Sequence, residues 1–242
     1  MQSCIEDDYQ FLWDHMYNKT THFLESSVGR KIVMAITGQV LVLFIIFHVA
    51  GNSSIFFHKL NAYVVALYTL PVFVWGGRII LLTAFIFHMW YGTMLKLENH
   101  SAKPQAYALT HYLNATFAGR NMIWTGVFIF AFLIYHLLHF TFQVTNSSIA
   151  ADTHPDNLGR PDVFMMVVRS FQHIDISLVY IVSLVALLLH LYHGIQSSFQ
   201  TWGMNNDRTL PVIEKTGTIA SVLLFIWYSA IPVAIVVGIL KG

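Results

Sequence analysis

Residues 31–57 read KIVMAITGQVLVLFIIFHVAGNSSIFF. Their first twenty positions carry one charge, Lys31, and no acid. A helix crossing the hydrocarbon core of a bilayer needs about 20 mostly apolar residues, so this stretch reads as a transmembrane span. Four more segments read the same way: 63–97, 121–144, 171–199 and 212–240. The second holds Pro71 near its start and is longer than a span requires, so part of it lies along the interface or the helix tilts. The expectation is an all-α membrane protein with five transmembrane helices, four forming a histidine-bearing bundle and the fifth added to it.

Composition agrees. Of 242 residues, 56% are hydrophobic and 10% charged, with mean hydropathy +0.59. Soluble domains carry about 25% charged residues. The formal net charge of +1 offers no basic surface for nucleic acid. The single cysteine, Cys4, excludes an internal disulfide, a Cys-ligated iron–sulfur cluster and covalent c-type haem attachment within the chain.

Residues 1–29 lack the basic n-region and apolar h-region of a signal peptide, and read as a cytoplasmic segment preceding a membrane domain over 30–242. The linkers 98–120, 145–170 and 200–211 are polar, and none is long enough for a second globular domain. Lys19, Arg30, Lys31, Lys96, Lys103, Arg120, Arg208 and Lys215 fall on one side of the expected topology. Lys59, Arg78, Arg160, Arg169 and Lys241 fall on the other, eight against five. This bias puts the N-terminus in the cytoplasm.

Four spans each contain a histidine: His48, His88, His136 and His190. An ionisable residue inside a span is costly and marks function. At 1.5 Å per residue, His48 lies roughly 26 Å from the cytoplasmic start of its helix, and His136 roughly 24 Å from Arg120. The other two helices run in the opposite direction. His88 lies about 12 Å from Lys96, and His190 about 15 Å from the end of its helix. The four therefore sort into an outer pair, His48 with His136, and an inner pair, His88 with His190.

An internal repeat links the same residues. Thr37-Gly38 precedes His48 by the same interval that separates Thr125-Gly126 from His136. His88 and His190 are each followed four residues later by glycine, Gly92 and Gly194. Those glycines lie on the histidine's own helix face, where a missing side chain lets a flat macrocycle approach the backbone. Thr37 returns to nearly the face of His48, below it. The alternative reading of a lone intramembrane histidine is a hydrogen-bonded polar residue between helices. Four histidines, paired in depth and in local pattern, favour two bis-histidine metal centres.

Haem b is the preferred group. Zinc, copper and di-iron carboxylate sites call for Cys, Asp or Glu, and no acid occurs within 63–97 or 121–144. Two axial histidines leave no open position, which suits electron transfer. His139 and His193 follow His136 and His190 by three residues and share their faces, so either is an alternative ligand. The repeat centres on His136 and His190.

These residues resemble a known family. Ser26-Ser27-Val28-Gly29-Arg30-Lys31 leading to Thr37-Gly38 and His48 is similar to the first helix of the cytochrome b membrane anchor of succinate dehydrogenases and fumarate reductases, in its five-helix, two-haem form. Phe87-His88-Met89-Trp90-Tyr91-Gly92 resembles the second ligand helix and Tyr135-His136 the third. His190-Leu191-Tyr192-His193-Gly194, followed by Thr201-Trp202-Gly203, resembles the fourth. The likeness covers about residues 26–240.

The resemblance implies that His48 and His136 ligate a distal haem iron, and His88 and His190 a proximal one. It implies a flavoprotein subunit and an iron–sulfur subunit on the cytoplasmic face, and menaquinone as lipid partner. The expected role is the quinone-reactive membrane subunit of a respiratory-chain and tricarboxylic acid cycle enzyme in the cytoplasmic (inner) membrane, with dicarboxylate catalysis on another subunit. No residue of this chain is expected to be catalytic.

Two departures stand out. Some family members have a glutamate linked to proton transfer two residues before the fourth ligand, where this chain has Leu188. Positions that bind proximal propionates in some members are Met34 and Ala35 here. Arg30, Arg78, Arg120 and Arg169 are charge-compatible propionate candidates, with lipid-phosphate anchoring as the plainer alternative. Quinone-site candidates at the outer level are His58, Asn61, Arg78, His139, Gln143, His173 and Asp175. Two other functions remain open on the residues: a diheme anchor of another respiratory dehydrogenase, and a histidine-relay proton or metal transporter.

Overall fold

The computed structural model describes residues 23–102 and 116–241. The expected N-terminal cytoplasmic segment, with Cys4 and Lys19, falls largely outside the described residues, as does Lys103. Within them the chain is helical and has no strand. The helices are α1 (Ser27–Asn52), α2 (Leu60–Tyr68), α3 (Pro71–Ser101), α4 (Phe117–Arg120), α5 (Met122–His136), α6 (Val163–Gln172), α7 (Ile174–Thr201) and α8 (Leu210–Val236). A 3₁₀ turn (Ser53–Phe57) extends α1, and a π turn (Leu137–Thr141) extends α5. Five helices are long and apolar enough to cross a membrane, so this is a multi-pass membrane protein.

Local chemistry explains the boundaries. Ser26 caps α1 by accepting from the Gly29 amide at 3.0 Å, and Thr116 caps α4 by accepting from Gly119 at 3.1 Å. The overlong second segment divides at Pro71. Proline has no N–H to donate and disfavours helical geometry in the residue before it. Leu70 accordingly leaves the helix at φ −113° and ψ 64°. The preceding α2 becomes a separate short helix, so the excess length is a break.

The linker 145–170 is corrected in part. Its end is the amphipathic helix α6, capped by Asp162, whose carboxylate accepts from the Met165 amide at 3.0 Å. A bend at His173 separates α6 from the span α7.

The membrane helices bury few side chains among themselves. Val72, Phe73, Ile79 and Ile80 of α3 are exposed, as are Phe47 of α1 and Trp124 of α5. Lipid is the natural solvent for such surface. The best-packed region lies at the Ser53 end. There Ile55, Leu60, Val168, Phe171, Tyr180, Ile231 and Ile235 form one core joining α2, α6, α7 and α8.

Three polar joints close this end. Asn61 of α2 donates to Asp162 at 2.9 Å and to Asp156 at 3.3 Å, and accepts from the Phe164 amide at 2.8 Å. Arg160 pairs with Asp156 at 2.6 Å. Gln143 accepts from the Ala151 amide at 2.7 Å. At the opposite end, Arg30 of α1 forms an ion pair with Glu98 of α3. Helix α8 is tied to α1 by Tyr228, which donates to the Ile45 carbonyl at 2.7 Å, and by Trp227, which donates to Ser53 at 2.6 Å.

Candidate metal centre

The four histidines lie on α1, α3, α5 and α7 and meet in two pairs. The His48 and His136 rings are 5.9 Å apart between centroids, with planes at 85°. The His88 and His190 rings are 6.2 Å apart, with planes at 67°. Two metal–imidazole bonds of about 2.0 Å each, plus two half-rings, span about 6 Å. Each pair is thus spaced for one metal ion between its imidazoles.

Hydrogen bonding selects the nitrogen that keeps its lone pair. At the His88 level, the Thr37 hydroxyl donates to the Val33 carbonyl at 2.8 Å. Its oxygen therefore accepts, and so does the Met34 carbonyl. Both lie by His88 Nδ1, at 3.5 Å and 3.2 Å. His88 accordingly carries its proton on Nδ1 and keeps a lone pair on Nε2. The opposite helix pair repeats this. The Thr125 hydroxyl donates to Met122 or Asn121, and its oxygen accepts from His190 Nδ1 at 3.1 Å. The Met122 carbonyl also bonds this ring. Fixing the tautomer through the second nitrogen is how proteins orient a metal-binding histidine.

The neighbouring glycines make room for these rings. A Cβ on Gly38 would stand 3.1 Å from His88 Cε1 and 3.4 Å from Nδ1. A Cβ on Gly126 would stand 3.6 Å from His190 Cε1. The Thr-Gly motif is thus a seat for the histidine of the adjacent helix, and not chiefly a feature of the His48 face. The sequence held the signal. Thr37 is about 9 Å from Lys31 by helical rise, close to the depth reckoned for His88.

At the other level, His48 stacks on Phe44 at 5.2 Å and lies beside Tyr228 at 6.3 Å. His136 Nδ1 meets the Tyr180 hydroxyl at 3.4 Å.

The alternative ligands are disposed differently. His139 is buried, with Nδ1 against Tyr180 at 2.9 Å and Nε2 against Ser170 at 3.1 Å, so both nitrogens are already engaged. It stays on the Tyr180 side with His136, since both rings meet the Tyr180 hydroxyl, but the two bonds leave it no nitrogen for a metal; a π turn follows His136. His193 packs against bare Gly119, where a Cβ would stand 2.9 Å from its ring. Its Nδ1 is buried with no hydrogen-bond partner among the described residues.

Of the propionate candidates, Arg30 is paired with Glu98, Arg78 lies 4.8 Å over Trp75, and Arg169 lies in the last turn of α6. Among the quinone-site candidates, Asn61, His139 and Gln143 serve the joints described above. His58 stacks near Phe164 at 5.0 Å, His173 precedes α7, and Asp175 lies in its first turn.

The donor set suits haem. Among the described residues no group of three or more His, Cys, Asp or Glu converges on one point. A pair of imidazoles is too few for a tetrahedral metal site. It would serve as the histidine pair of an iron whose other four ligands come from a porphyrin. Compared with family models, curated proteins and solved structures, the chain matches none.

Proposed function

We propose that the chain is the diheme cytochrome b anchor of a succinate:quinone oxidoreductase. The observation that carries this reading is the pair of facing imidazole couples at two levels of one bundle, His88 with His190 and His48 with His136. Bound haem b supplies a one-electron carrier at each level. The protein's part is to present the imidazoles and hold their tautomers; both iron positions off the porphyrin plane would then be taken by histidine, leaving none for oxygen. Thr37, Met34 and Thr125 hold the rings of the His88 pair. Apolar helices around them keep water out of the path.

In the orientation favoured by the Lys and Arg bias, the N-terminus is cytoplasmic and the His88 pair is nearer that face. A flavoprotein and an iron–sulfur subunit docked there would feed electrons to the proximal level. The distal level would pass them to menaquinone, and reversed flow would serve fumarate reduction. Dicarboxylate chemistry belongs to the flavoprotein. The setting is the respiratory chain and tricarboxylic acid cycle at the cytoplasmic membrane.

The first test is a reduced-minus-oxidised spectrum of the purified chain, which should show two b-type haems. His88→Ala or His190→Ala should remove one haem and spare much of the other, and His48→Ala or His136→Ala should do the converse. A clean, stable preparation without haem would overturn the reading. Co-purification of a flavoprotein with an iron–sulfur protein that oxidise succinate separates it from the anchor of another respiratory dehydrogenase. Flux across liposomes by haem-free protein would instead indicate a histidine-relay transporter. The acid-free stretches 31–57, 63–97 and 121–144 weigh against that alternative.

A further inference from the structure

The two histidine pairs are held by different chemistry. The His88 pair rests on threonine oxygens and backbone carbonyls. At the other level, His136 is the first member of a chain of side chains running out of the bundle. Its Nδ1 lies 3.4 Å from Tyr180 Oη, which lies 2.9 Å from His139 Nδ1. His139 Nε2 lies 3.1 Å from Ser170 Oγ on α6, and Ser170 Oγ lies 2.7 Å from the Met166 carbonyl.

The direction of every bond follows from the far end. A carbonyl only accepts, so the Ser170 hydroxyl donates to Met166. Ser170 Oγ must then accept from His139 Nε2–H. A neutral imidazole protonated on Nε2 has its lone pair on Nδ1, so His139 accepts from the Tyr180 hydroxyl. Tyr180 has spent its proton, and its oxygen accepts from His136 Nδ1–H. The chain is polarised away from His136 at each link, which leaves His136 Nε2 unprotonated and free to ligate.

Packing fixes the middle of the chain. Tyr180 is buried, with Phe132 at 5.0 Å and Phe171 at 4.9 Å edge-on to its ring. His139 lies flat on Phe140 at 4.1 Å. Neither ring can leave without opening the α5–α6–α7 core.

We infer that Tyr180, backed by His139 and Ser170, is a positioning residue that fixes the His136 tautomer and strengthens its electron donation at the distal centre. A hydroxyl that is itself donating becomes a better acceptor. A stronger acceptor on the second nitrogen raises the basicity of a ligating histidine. A more basic axial ligand favours the oxidised iron, so this chain lowers the reduction potential of one centre and not the other. The inference rests on the haem reading of the pairs, but its tautomer half does not require haem.

The test has two parts. In the haem-free protein, nitrogen chemical shifts of labelled histidines should show His136 protonated on Nδ1 and His139 on Nε2. The opposite assignment at either ring overturns the inference whatever the chain binds. In the haem-loaded protein, Tyr180→Phe removes the acceptor. The distal centre should become about tenfold easier to reduce relative to the proximal one, the scale of one lost hydrogen bond. For a one-electron couple that is 59 mV.

His139→Leu strands the Tyr180 proton and should shift the same centre the same way. His139→Gln should restore it, because a glutamine amide accepts from Tyr180 and donates to Ser170 with the same polarity. An unchanged distal potential in Tyr180→Phe, or equal shifts at both centres, would overturn the inference. If that variant does not fold, identical potentials for His139→Leu and His139→Gln would do so. A wild-type chain that binds no haem would sink the haem reading alone, leaving the tautomer result to stand or fall by itself.

Discussion

Gly38 of α1 lies against the edge of the His88 imidazole on α3, so closely that a Cβ would stand 3.1 Å from Cε1. Its repeat counterpart, Gly126, leaves 3.6 Å to His190. The first distance requires the ring to shift, and the second is ordinary contact. Gly38→Ala should therefore displace His88 and weaken haem binding at that level, while Gly126→Ala should be nearly silent. Alanine favours a helix interior over glycine by about 1 kcal/mol, so loss of haem from Gly38→Ala would not reflect a weakened helix. Haem-to-protein ratio measured on both variants decides this, and equal effects would contradict the asymmetry.

Thr125→Val should cost more than Thr37→Val. Thr125 lies 3.1 Å from its histidine and Thr37 3.5 Å from His88, at the limit of a hydrogen bond, while each ring keeps a backbone carbonyl, Met122 or Met34. A buried hydrogen bond contributes about 1 kcal/mol net, roughly a fivefold change in affinity. Haem dissociation kinetics for the two variants should differ by about that factor.

Asn61→Leu should destabilise the Ser53 end of the molecule. It removes bonds to Asp156, Asp162 and the Phe164 amide at once. Leaving a buried donor or acceptor unsatisfied costs about 1–3 kcal/mol, and these part-buried partners put the expected loss at the lower end. Thermal unfolding in detergent should show a lowered midpoint, with the spectrum of the His88 centre unchanged.

The loop joint has a defined pH response. The Arg160 guanidinium beside Asp156 holds its carboxyl well below the ordinary value of 3.8, with the Arg160 amide helping. A carboxyl depressed on folding contributes stability that is complete above its unfolded value and is lost as pH falls toward its folded one. Protection of the Arg160 amide against hydrogen exchange should persist down to about pH 4 and fade only in stronger acid. Asp156→Asn should abolish that dependence. Fading at mildly acidic pH in the parent would count against the arrangement.

The five spans were legible because apolar length is a coarse and robust signal. The pairing of His48 with His136 and of His88 with His190 was legible because helical rise is constant, so depth can be counted along the chain. Contacts between helices were not legible in that way. Spacing puts Thr37 near the His48 face of its own helix, yet it serves His88, because rotation about the helix axis is set by packing and not by spacing. Helix α6 was hidden in a linker read by its prolines and acids, although Asp162 is an ordinary cap for it. The fate of His139 depended on Tyr180 and Ser170, each far from it in the chain.

The π turn over Leu137–Thr141 amounts to one surplus residue inserted into a helix. Removing a residue there would restore an α turn and rotate everything beyond it by about 100°. His139 would swing out of its niche between Tyr180 and Ser170, and Gln143 would lose the Ala151 amide. The insertion thus behaves as a register key. It lets two histidines three positions apart meet one tyrosine hydroxyl while the second also reaches Ser170 on α6.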